Sequence, residues 1–289
     1  MTQIPRASDE RFQIKNSIPF IIMHLLALPA LWTMPTKAAL LTLFFTYFAR
    51  MFGITAGFHR YFSHKTYKTS RGFQFFMAFL GGTSAQKGAL WWAAHHRHHH
   101  KYSDEPEDIH SPTLRGFWWS HTGWILCAKY EPTQENLIPD LMKFPELRFL
   151  NKYHLVAPTI LGTAIFFLGG WNVFLWGFLV SNVLLWHGTF TINSLSHVFG
   201  NRRFNTTDTS RNNLLLALIT MGEGWHNNHH HYMSSTRQGF YWWEIDVSYY
   251  LLRVCSALGL VWDIRGVPSD VLKQSMEVPV AISARSPTL

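Results

Sequence analysis

The sequence predicts an all-α integral membrane protein with four transmembrane helices, arranged as two hairpins, and a helical cytoplasmic cap that holds a metal site. Three observations lead to this prediction. Of the 289 residues, 47% are hydrophobic and only 15% are charged, whereas soluble domains are roughly 25% charged. The long apolar runs come in two pairs, each joined by a short turn. Most of the 17 histidines lie outside those runs, in polar segments.

The first pair of apolar runs covers residues 17–34 and 38–58, close to the ~20 residues that a helix needs to cross a bilayer. Pro35 and its neighbours leave only a short turn, so we expect two antiparallel helices. Arg50 interrupts the second run. Because a charge that faces lipid is costly, we expect this side chain to face protein or a cavity.

The second pair of runs covers residues 155–170 and 171–187. Gly169 and Gly170 mark the turn between them, since glycine adopts turn conformations at little steric cost. The apolar pieces that follow are too short to cross a bilayer. We therefore expect four spans in all.

The cap is expected from residues 59–153 and 188–289, so that the chain forms a single membrane domain, 1–289. Within it, residues 73–92 are apolar but interrupted by Gly81, Gly82, Gln86 and Lys87. This pattern predicts a helix that lies in the interface or lines a pocket.

Lysine and arginine are concentrated in the cap and in the polar N-terminal segment. With four spans these segments share one side of the membrane, which the positive-inside rule makes the cytoplasmic side. We interpret the net charge of +8 as a signal of topology and expect no nucleic-acid partner. The few cysteines, Cys127 and Cys255, are far apart, which argues against a disulfide framework, a thiolate metal site or an iron–sulfur cluster.

The densest group of histidines contains His96, His99 and His100. At about 100° per residue these positions fall within one helix face. Three neutral imidazoles on one face suit iron, zinc or copper. The alternative is a surface histidine run or a cloning tag, but the run is internal, is broken by Arg97 and is flanked by tryptophans.

The same H-x-x-H-H spacing recurs at His226, His229 and His230. These three imidazoles again share one helix face. Asn193 and His197, four positions apart, share a face just beyond the fourth predicted span.

A further pair, His59 and His64, begins where the second predicted span ends. Five positions correspond to about 140° around a regular helix, so the two rings converge only if the helix ends or bends there. Together the groups offer more nitrogen than one metal can use, which favours a binuclear site. Histidine-rich ligation favours iron and O2 chemistry over magnesium or calcium, and zinc hydrolysis typically uses about three protein ligands. An apolar pocket in a membrane suggests acyl chains as the substrate.

The histidine groups resemble the three histidine boxes of membrane fatty acyl desaturases, and the match is to the stearoyl-CoA Δ9 branch. The resemblance runs from about Thr36 to Asp263. The matching boxes are His59-Arg60-Tyr61-Phe62-Ser63-His64, His96-Arg97-His98-His99-His100 and His226-Asn227-Asn228-His229-His230. Further matches are Gly53-Ile54-Thr55-Ala56-Gly57, Gly116-Phe117-Trp118-Trp119-Ser120-His121-Thr122-Gly123-Trp124, Asn193-Ser194-Leu195-Ser196-His197 and Gly222-Glu223-Gly224-Trp225.

The resemblance implies an oxidoreductase of the stearoyl-CoA 9-desaturase type, with two irons held in the cytoplasmic cap. The implied reaction is the O2-dependent insertion of a cis double bond, Δ9, into a long saturated acyl chain. The implied iron ligands are His59, His64, His96, His99, His100, His197, His226, His229 and His230. Asn193 matches a position that holds one iron through a water, and no catalytic residue beyond the ligands is implied.

The same resemblance leaves the acyl carrier open between coenzyme A and a membrane lipid. Gln86 and Trp92 match positions that line the substrate pocket. Ala94, His95 and Ala128, however, stand where the acyl-CoA branch has residues that bind the coenzyme A head, and a lost Arg–phosphate contact weakens recognition of a phosphorylated nucleotide.

Two electrons must come from outside, and we expect a separate donor, a ferredoxin or a cytochrome b5-like protein, to dock on the basic cap. Imidazole ligands need acceptors that fix their tautomers. The candidates are Asp104, Glu107, Asp108, Asp208 and Glu223, with solvated loop charges as the alternative.

Histidines outside the spacing are expected to play other roles. His95, His98 and His231 should point to other helix faces, and His24 should be hydrogen-bonded within the helix bundle. We expect a bacterial inner membrane with the active site on its cytoplasmic side. The alternative functions are a related di-iron hydroxylase or ketolase, and a non-enzymatic membrane metal carrier.

Overall fold

A computed structural model describes residues 4–275 and is mostly helical, as the sequence predicts. The α-helices are α1 (Ile14–Ala27), α2 (Lys37–Phe52), α3 (Arg71–Gly82), α4 (Ala89–Tyr102), α5 (Pro112–Arg115), α6 (Pro139–Met142), α7 (Pro145–Lys152), α8 (Val156–Phe174), α9 (Ser181–Ser194), α10 (Leu214–Ile219), α11 (His226–His231), α12 (Val247–Ala257) and α13 (Ser269–Leu272). Short 3-10 helices cover Leu28–Leu31, Ala128–Tyr130, Glu135–Leu137 and Leu195–His197, and π-helical segments cover Gly53–Ser63, Trp119–Gly123 and Leu175–Val180.

The all-α prediction needs one small correction. Two short strands, β1 (Lys68–Thr69) and β2 (Val261–Trp262), pair in antiparallel register. The pairing satisfies backbone groups of two extended segments that no helix accommodates. It ties the chain after the first histidine box to the C-terminal part of the cap.

The first hairpin consists of α1, extended by its 3-10 turn, and α2. The hydroxyl of Thr36 caps α2 by accepting a hydrogen bond from the backbone N–H of Ala39 at 3.1 Å. This cap starts the helix directly after Pro35. The helix then continues without interruption into the π-helical segment Gly53–Ser63.

The second hairpin turns where the glycines predicted it. Gly170 has φ 71° and ψ −172°, which breaks the helical path inside α8, so that Val156–Phe174 contains the turn. The side-chain amide of Asn172 donates to the carbonyl of Met34 at 3.0 Å and accepts from the N–H of Thr36 at 2.9 Å. The turns of the two hairpins therefore lie side by side at one end of the bundle.

Two helical stretches are long and apolar enough to cross a membrane, Lys37–Ser63 and Val156–His197. The second contains the break at Gly170, and the apolar stretch Ser17–Leu31 is shorter. The chain thus has the character of a membrane protein, and the count of four spans stays a prediction.

Arg50 is buried within protein, as the cost of a charge facing lipid predicts. Its guanidinium donates to Asn182 Oδ1 at 2.8 Å and to Ser181 Oγ at 2.5 Å. A third bond runs to the carbonyl of Thr46 at 3.0 Å. These bonds join α2 to α9.

The single helix expected over residues 73–92 is wrong in detail, because the chain leaves helical geometry between α3 and α4. Ala85 and Lys87 both have positive φ, 54° and 65°. Positive φ lies outside the right-handed helical region and is uncommon for residues other than glycine. The loop between the helices lines a cavity, and α4 turns back to carry the second histidine box. The buried apolar core of the cap packs between the π-helical segment, α3, α4 and α7.

Candidate metal centre

The histidines of the three boxes come from three helices of different local geometry. α4 carries His96, His99 and His100, and α11 carries His226, His229 and His230. The regular turn of these helices accounts for the shared face of each trio.

His59 and His64 converge because the chain between them is wound as a π-helix. The segment Gly53–Ser63 is π-helical, and the N–H of His64 bonds the carbonyl of His59 at 3.2 Å, five positions back. A π-helix turns less per residue than an α-helix, so positions five apart come to lie above one another. The two rings have centroids 4.9 Å apart.

Two groups of imidazoles form where these helices meet. In each group the ring nitrogens lie within 4.8 Å of one another. The first group is His59, His64, His96, His100 and His229, and the second is His99, His197, His226 and His230. The structure therefore brings together the nine histidines singled out in the sequence, five in one group and four in the other.

Contacts within and between the groups are close. The Nε2 atoms of His59 and His229 are 3.0 Å apart, and those of His197 and His226 are also 3.0 Å apart. The rings of His100 and His230, which belong to different groups, stack with centroids 4.5 Å apart. The two groups are thus adjacent, as a binuclear site requires.

Four of the five carboxylates proposed as orienting groups do contact these imidazoles. The Nδ1 atoms of His99, His197 and His230 lie 3.0, 3.4 and 2.7 Å from Asp108, Asp104 and Asp208, respectively. His59 Nδ1 contacts the carboxylate of Glu223.

Glu107 is the exception, and its prediction as an orienting carboxylate is wrong. Its side chain is exposed, and its backbone carbonyl is hydrogen-bonded to His98 Nε2 at 3.0 Å. The chain direction after α4 turns the side chain of Asp108 inward and that of Glu107 outward.

The electrostatics keep most of these imidazoles neutral. Burial, together with the neighbouring imidazoles, lowers the pKa of His96, His100 and His229 well below the usual value. Burial also disfavours a charge on His99, but the Asp108 carboxylate at 3.0 Å outweighs it and raises the pKa of that ring. Neutral imidazole is the form that binds a metal.

The carboxylates that contact the rings are held as anions. Burial would raise the pKa of Asp104, Asp108 and Asp208, yet hydrogen bonds and the imidazoles beside them hold each pKa well below its usual range. Anionic carboxylates accept hydrogen bonds from the Nδ1–H groups. The opposite nitrogen of each ring, Nε2, then faces the other imidazoles of its histidine group.

The donor set fits a pair of transition-metal ions. Within residues 4–275, three buried ring nitrogens of these groups find no hydrogen-bond partner, namely His226 Nδ1, His229 Nδ1 and His230 Nε2. Each such nitrogen costs about 1–3 kcal/mol if left unpaired. A metal ion bound by imidazole nitrogens compensates that cost at His230, whose Nδ1 is already engaged by Asp208.

Asparagines between the histidines hold α11 in place. Asn212 Oδ1 accepts from the N–H groups of Asn227 and Asn228, at 3.0 and 3.1 Å. Asn227 Oδ1 in turn accepts from the N–H of Phe204 at 2.7 Å. Sequence reasoning missed this role, although two buried amides in a histidine box are a signal of hydrogen bonding to backbone.

Another group missed in the sequence is a buried ion cluster beside the first box. Arg60 donates to Asp246 at 2.9 Å and to Glu223 at 3.1 Å. Glu223 also contacts His59, so the cluster fixes one imidazole through a carboxylate. No local spacing connects these residues, which lie far apart in the chain.

A cavity of about 310 Å³ lies beside the histidine groups. It is lined by the three residues other than histidine that the sequence analysis assigned to the active site. Gln86, Trp92 and Asn193 line it together with His96. Trp92 stacks on His96 with centroids 4.7 Å apart, and Gln86 donates to Thr189 Oγ1 at 3.1 Å. Asn193 also lines a smaller pocket of about 30 Å³ beside the imidazoles.

The remaining histidines lie outside the two groups. His95 Nδ1 bonds the carbonyl of Trp91 at 2.9 Å, and His231 stacks on Phe204. His24 is hydrogen-bonded in the bundle, as predicted, through Nε2 to His187 at 3.0 Å. His110, which no spacing singled out, lies within 4.8 Å of His99 and Asp108.

Comparison with known proteins gives one family. A model of the fatty acid desaturase family matches residues 35–261. The chain is 36% identical to an icosanoyl-CoA 5-desaturase from Limnanthes douglasii, over 93% of this chain and 76% of the relative. It is 36% identical to a palmitoyl-monogalactosyldiacylglycerol delta-7 desaturase from Arabidopsis thaliana, over 88% and 69%. It is 33% identical to an sn-2 palmitoyl-lipid 9-desaturase from Nostoc sp. (strain 36), over 88% and 91%.

Proposed function

We propose that this chain, which belongs to the fatty acid desaturase family, inserts a cis double bond into a long saturated acyl chain in an O2-dependent reaction. The observation that carries the proposal is that two adjacent histidine groups lie beside an apolar cavity whose lining includes His96 of the first group. An acyl chain in that cavity passes beside His96 and Asn193, where C–H bonds come close to the metal site.

Each histidine group would hold one iron ion, with Asn193 acting through a water. The two irons, when bound, supply the O2 activation and hydrogen removal that side chains alone do not perform. The protein's part is to hold most of the imidazoles neutral and to fix the tautomers of four of them through Asp104, Asp108, Asp208 and Glu223.

For the position of the double bond we propose Δ9. The relatives named above act at positions 5, 7 and 9, the last of these on a lipid-linked chain. The substrates that their names give are carried by coenzyme A or by a lipid, and both carriers are candidates for this chain. Gln86 and Trp92 are proposed to line the acyl chain near the reacting carbons.

The proposed architecture is a single domain with four spans, the two hairpins described above. The break at Gly170 and the paired turns at Met34 and Asn172 support it. The cap, residues 59–153 and 188–289, would face the cytoplasm of a bacterial cell from its inner membrane; residues 276–289 of this range lie outside the part of the chain that the structure describes. A ferredoxin or cytochrome b5-like protein would deliver two electrons to this basic face.

Whole-cell fatty acid profiling tests the function. Expression in a host that accumulates saturated chains should raise the monounsaturated fraction, with the double bond located at carbon 9. His229→Ala should abolish the change, because that ring contacts both His59 and His100. His98→Ala is the matched control on α4, outside both histidine groups, and should retain activity.

Two outcomes would contradict the proposal. Hydroxylated acyl chains would indicate a di-iron hydroxylase instead. An unchanged profile in the presence of a competent donor, together with stoichiometric metal, would indicate a metal carrier.

A further inference from the structure

A second apolar groove, of about 380 Å³, runs along the flank of α8. Its lining includes Pro158, Gly162, Phe166, Phe174 and Phe178, and none of the lining residues within 4–275 is charged. Most of its lining belongs to the stretch Val156–His197, which is long and apolar enough to cross a membrane. Nothing in the proposed reaction uses it.

The groove and the acyl cavity share a rim. Met23, Ala85 and Leu155 line both. Beyond these shared residues, the lining of the cavity includes His96 and Asn193, and the lining of the groove includes residues of α8. The acyl cavity and the groove therefore adjoin one another at these three residues.

Polar side chains stand at that place. Lys87 and His154 line the cavity, and they are chain neighbours of the rim residues Ala85 and Leu155. Glu131, 3.7 Å from Lys87, and Lys15 also line the cavity. A ligand with a polar junction and two apolar tails matches this arrangement.

We propose that the groove binds the second acyl chain of a diacyl glycerolipid whose reacting chain occupies the cavity. The inference rests on the proposed function and names its substrate class. Cavity and groove each have the volume of a ligand site, in the range of about 300–1,000 Å³. A single-chain carrier such as acyl-CoA would leave the groove without a ligand.

The charges around the polar end support a lipid more than a nucleotide carrier. Lys87, which lines the cavity, is already paired with Glu131 at 3.7 Å. Outside the lining, Lys129 is paired with Asp9 at 3.1 Å and Arg115 with Glu10 at 2.7 Å. Recognition of a multiply phosphorylated head uses Arg and Lys donors that can turn to phosphate oxygens. Within residues 4–275 the cavity lining contains no arginine and two lysines, of which Lys87 is engaged in an ion pair and Lys15 is the other.

Position 163 allows the groove to be filled without disturbing the core. Thr163 lines the groove and is exposed, so Thr163→Trp places an indole in the groove from its open side. Ala164, the next residue on α8, is also exposed but does not line the groove. Ala164→Trp is therefore the matched control for a new tryptophan on this helix.

The test compares one-tailed and two-tailed substrates with the iron-loaded, full-length protein and an electron donor. The probes are 1-stearoyl-2-oleoyl-phosphatidylglycerol, the corresponding 1-stearoyl-lysophosphatidylglycerol, and stearoyl-CoA. We expect kcat/KM for the two-tailed lipid to exceed that for the lysolipid by about tenfold or more. Thr163→Trp should remove this advantage while the lysolipid rate and the iron content stay unchanged, and Ala164→Trp should behave as wild type.

Native mass spectrometry gives a readout that does not depend on turnover. Wild-type protein should retain the two-tailed lipid, and Thr163→Trp should retain less of it. Equal kcat/KM for the two lipids, or conversion of stearoyl-CoA alone, would overturn this inference and leave the proposed function standing. Absence of an unsaturated product from all three probes would overturn both.

Discussion

His230 and Asp208 form a close contact between an imidazole of the second histidine group and a carboxylate, with Nδ1 2.7 Å from Oδ2. Asp208 is itself held by the N–H and hydroxyl of Ser210, at 2.9 and 2.5 Å. The carboxylate thus hydrogen-bonds Nδ1 of His230, so that Nε2 faces the other imidazoles of the second histidine group. A residue outside the ligand set thereby determines how a ligand is presented.

Asp208→Asn should therefore lower the affinity for iron by about 10- to 100-fold. Asparagine keeps an acceptor oxygen but loses the negative charge that makes the imidazole a stronger donor. The measurement is iron per chain after equilibration with graded chelator. Asp263→Asn, at an exposed position paired with Lys68, is the control and should leave affinity unchanged; equal affinities for the two variants would contradict the role assigned to Asp208.

Arg60→Gln should lower the free energy of unfolding by about 3–5 kcal/mol. Its guanidinium is fully buried between Asp246 and Glu223, so that removal of the charge leaves two buried carboxylates without their cation. Denaturant titration in detergent measures the change. Arg71→Gln removes an exposed pair with Glu146 and should cost about 0–1 kcal/mol, and a similar loss for both variants would count against the explanation.

Gly53→Ala should destabilise the contact between the π-helical segment and α3. An added Cβ would lie 2.5 Å from Gly81 N and 2.8 Å from Gly81 Cα, and backbone atoms cannot move aside as a side chain does. We expect a loss of about 1–3 kcal/mol in unfolding free energy. Gly72→Ala, where a Cβ meets nothing within 4 Å, should leave stability unchanged or slightly raised; a tolerated Gly53→Ala would show that the two helices separate easily.

Because of His121, the free energy of unfolding should decrease in mild acid. Burial and the neighbouring His187 lower the pKa of His121 to about 4, whereas the unfolded chain has a histidine pKa of about 6.5. The unfolded state binds the proton first, so the stabilisation is complete above about pH 6.5 and is lost as the pH falls through about 4. The groups that face the ring are His187, at 2.9 Å, and the hydroxyl of Ser194, at 3.0 Å.

Replacement of this ring with a side chain that does not titrate tests the contribution. In His121→Gln the unfolding midpoint should depend less steeply on pH between about 6.5 and 4 than in wild type. The comparison uses thermal unfolding at several pH values within that window. Parallel pH profiles for the two proteins would show that His121 does not contribute.

Much of the metal site follows from local sequence. The spacing of His96, His99 and His100 places three rings on one helix face, because an α-helix advances by a constant angle per residue. The same rule applies to α11. Hydropathy similarly predicts the apolar helices and the turn at Gly170, since both depend on neighbouring residues alone.

Other features depend on segments that are distant in the chain. The contact of His59 with His229, the division of the imidazoles into five and four, and the shared rim of cavity and groove all arise from packing between helices. The π-helical winding that brings His64 over His59 also accompanies the packing of that segment on α3 and α4.

The sequence by itself determined which residue types and helix faces carry metal chemistry, because periodicity is a local property of the backbone. Only the tertiary structure decided that Asp108 turns inward and Glu107 outward, and which imidazoles meet. Those outcomes depend on how helices pack over long separations in the chain, which no spacing within one helix specifies.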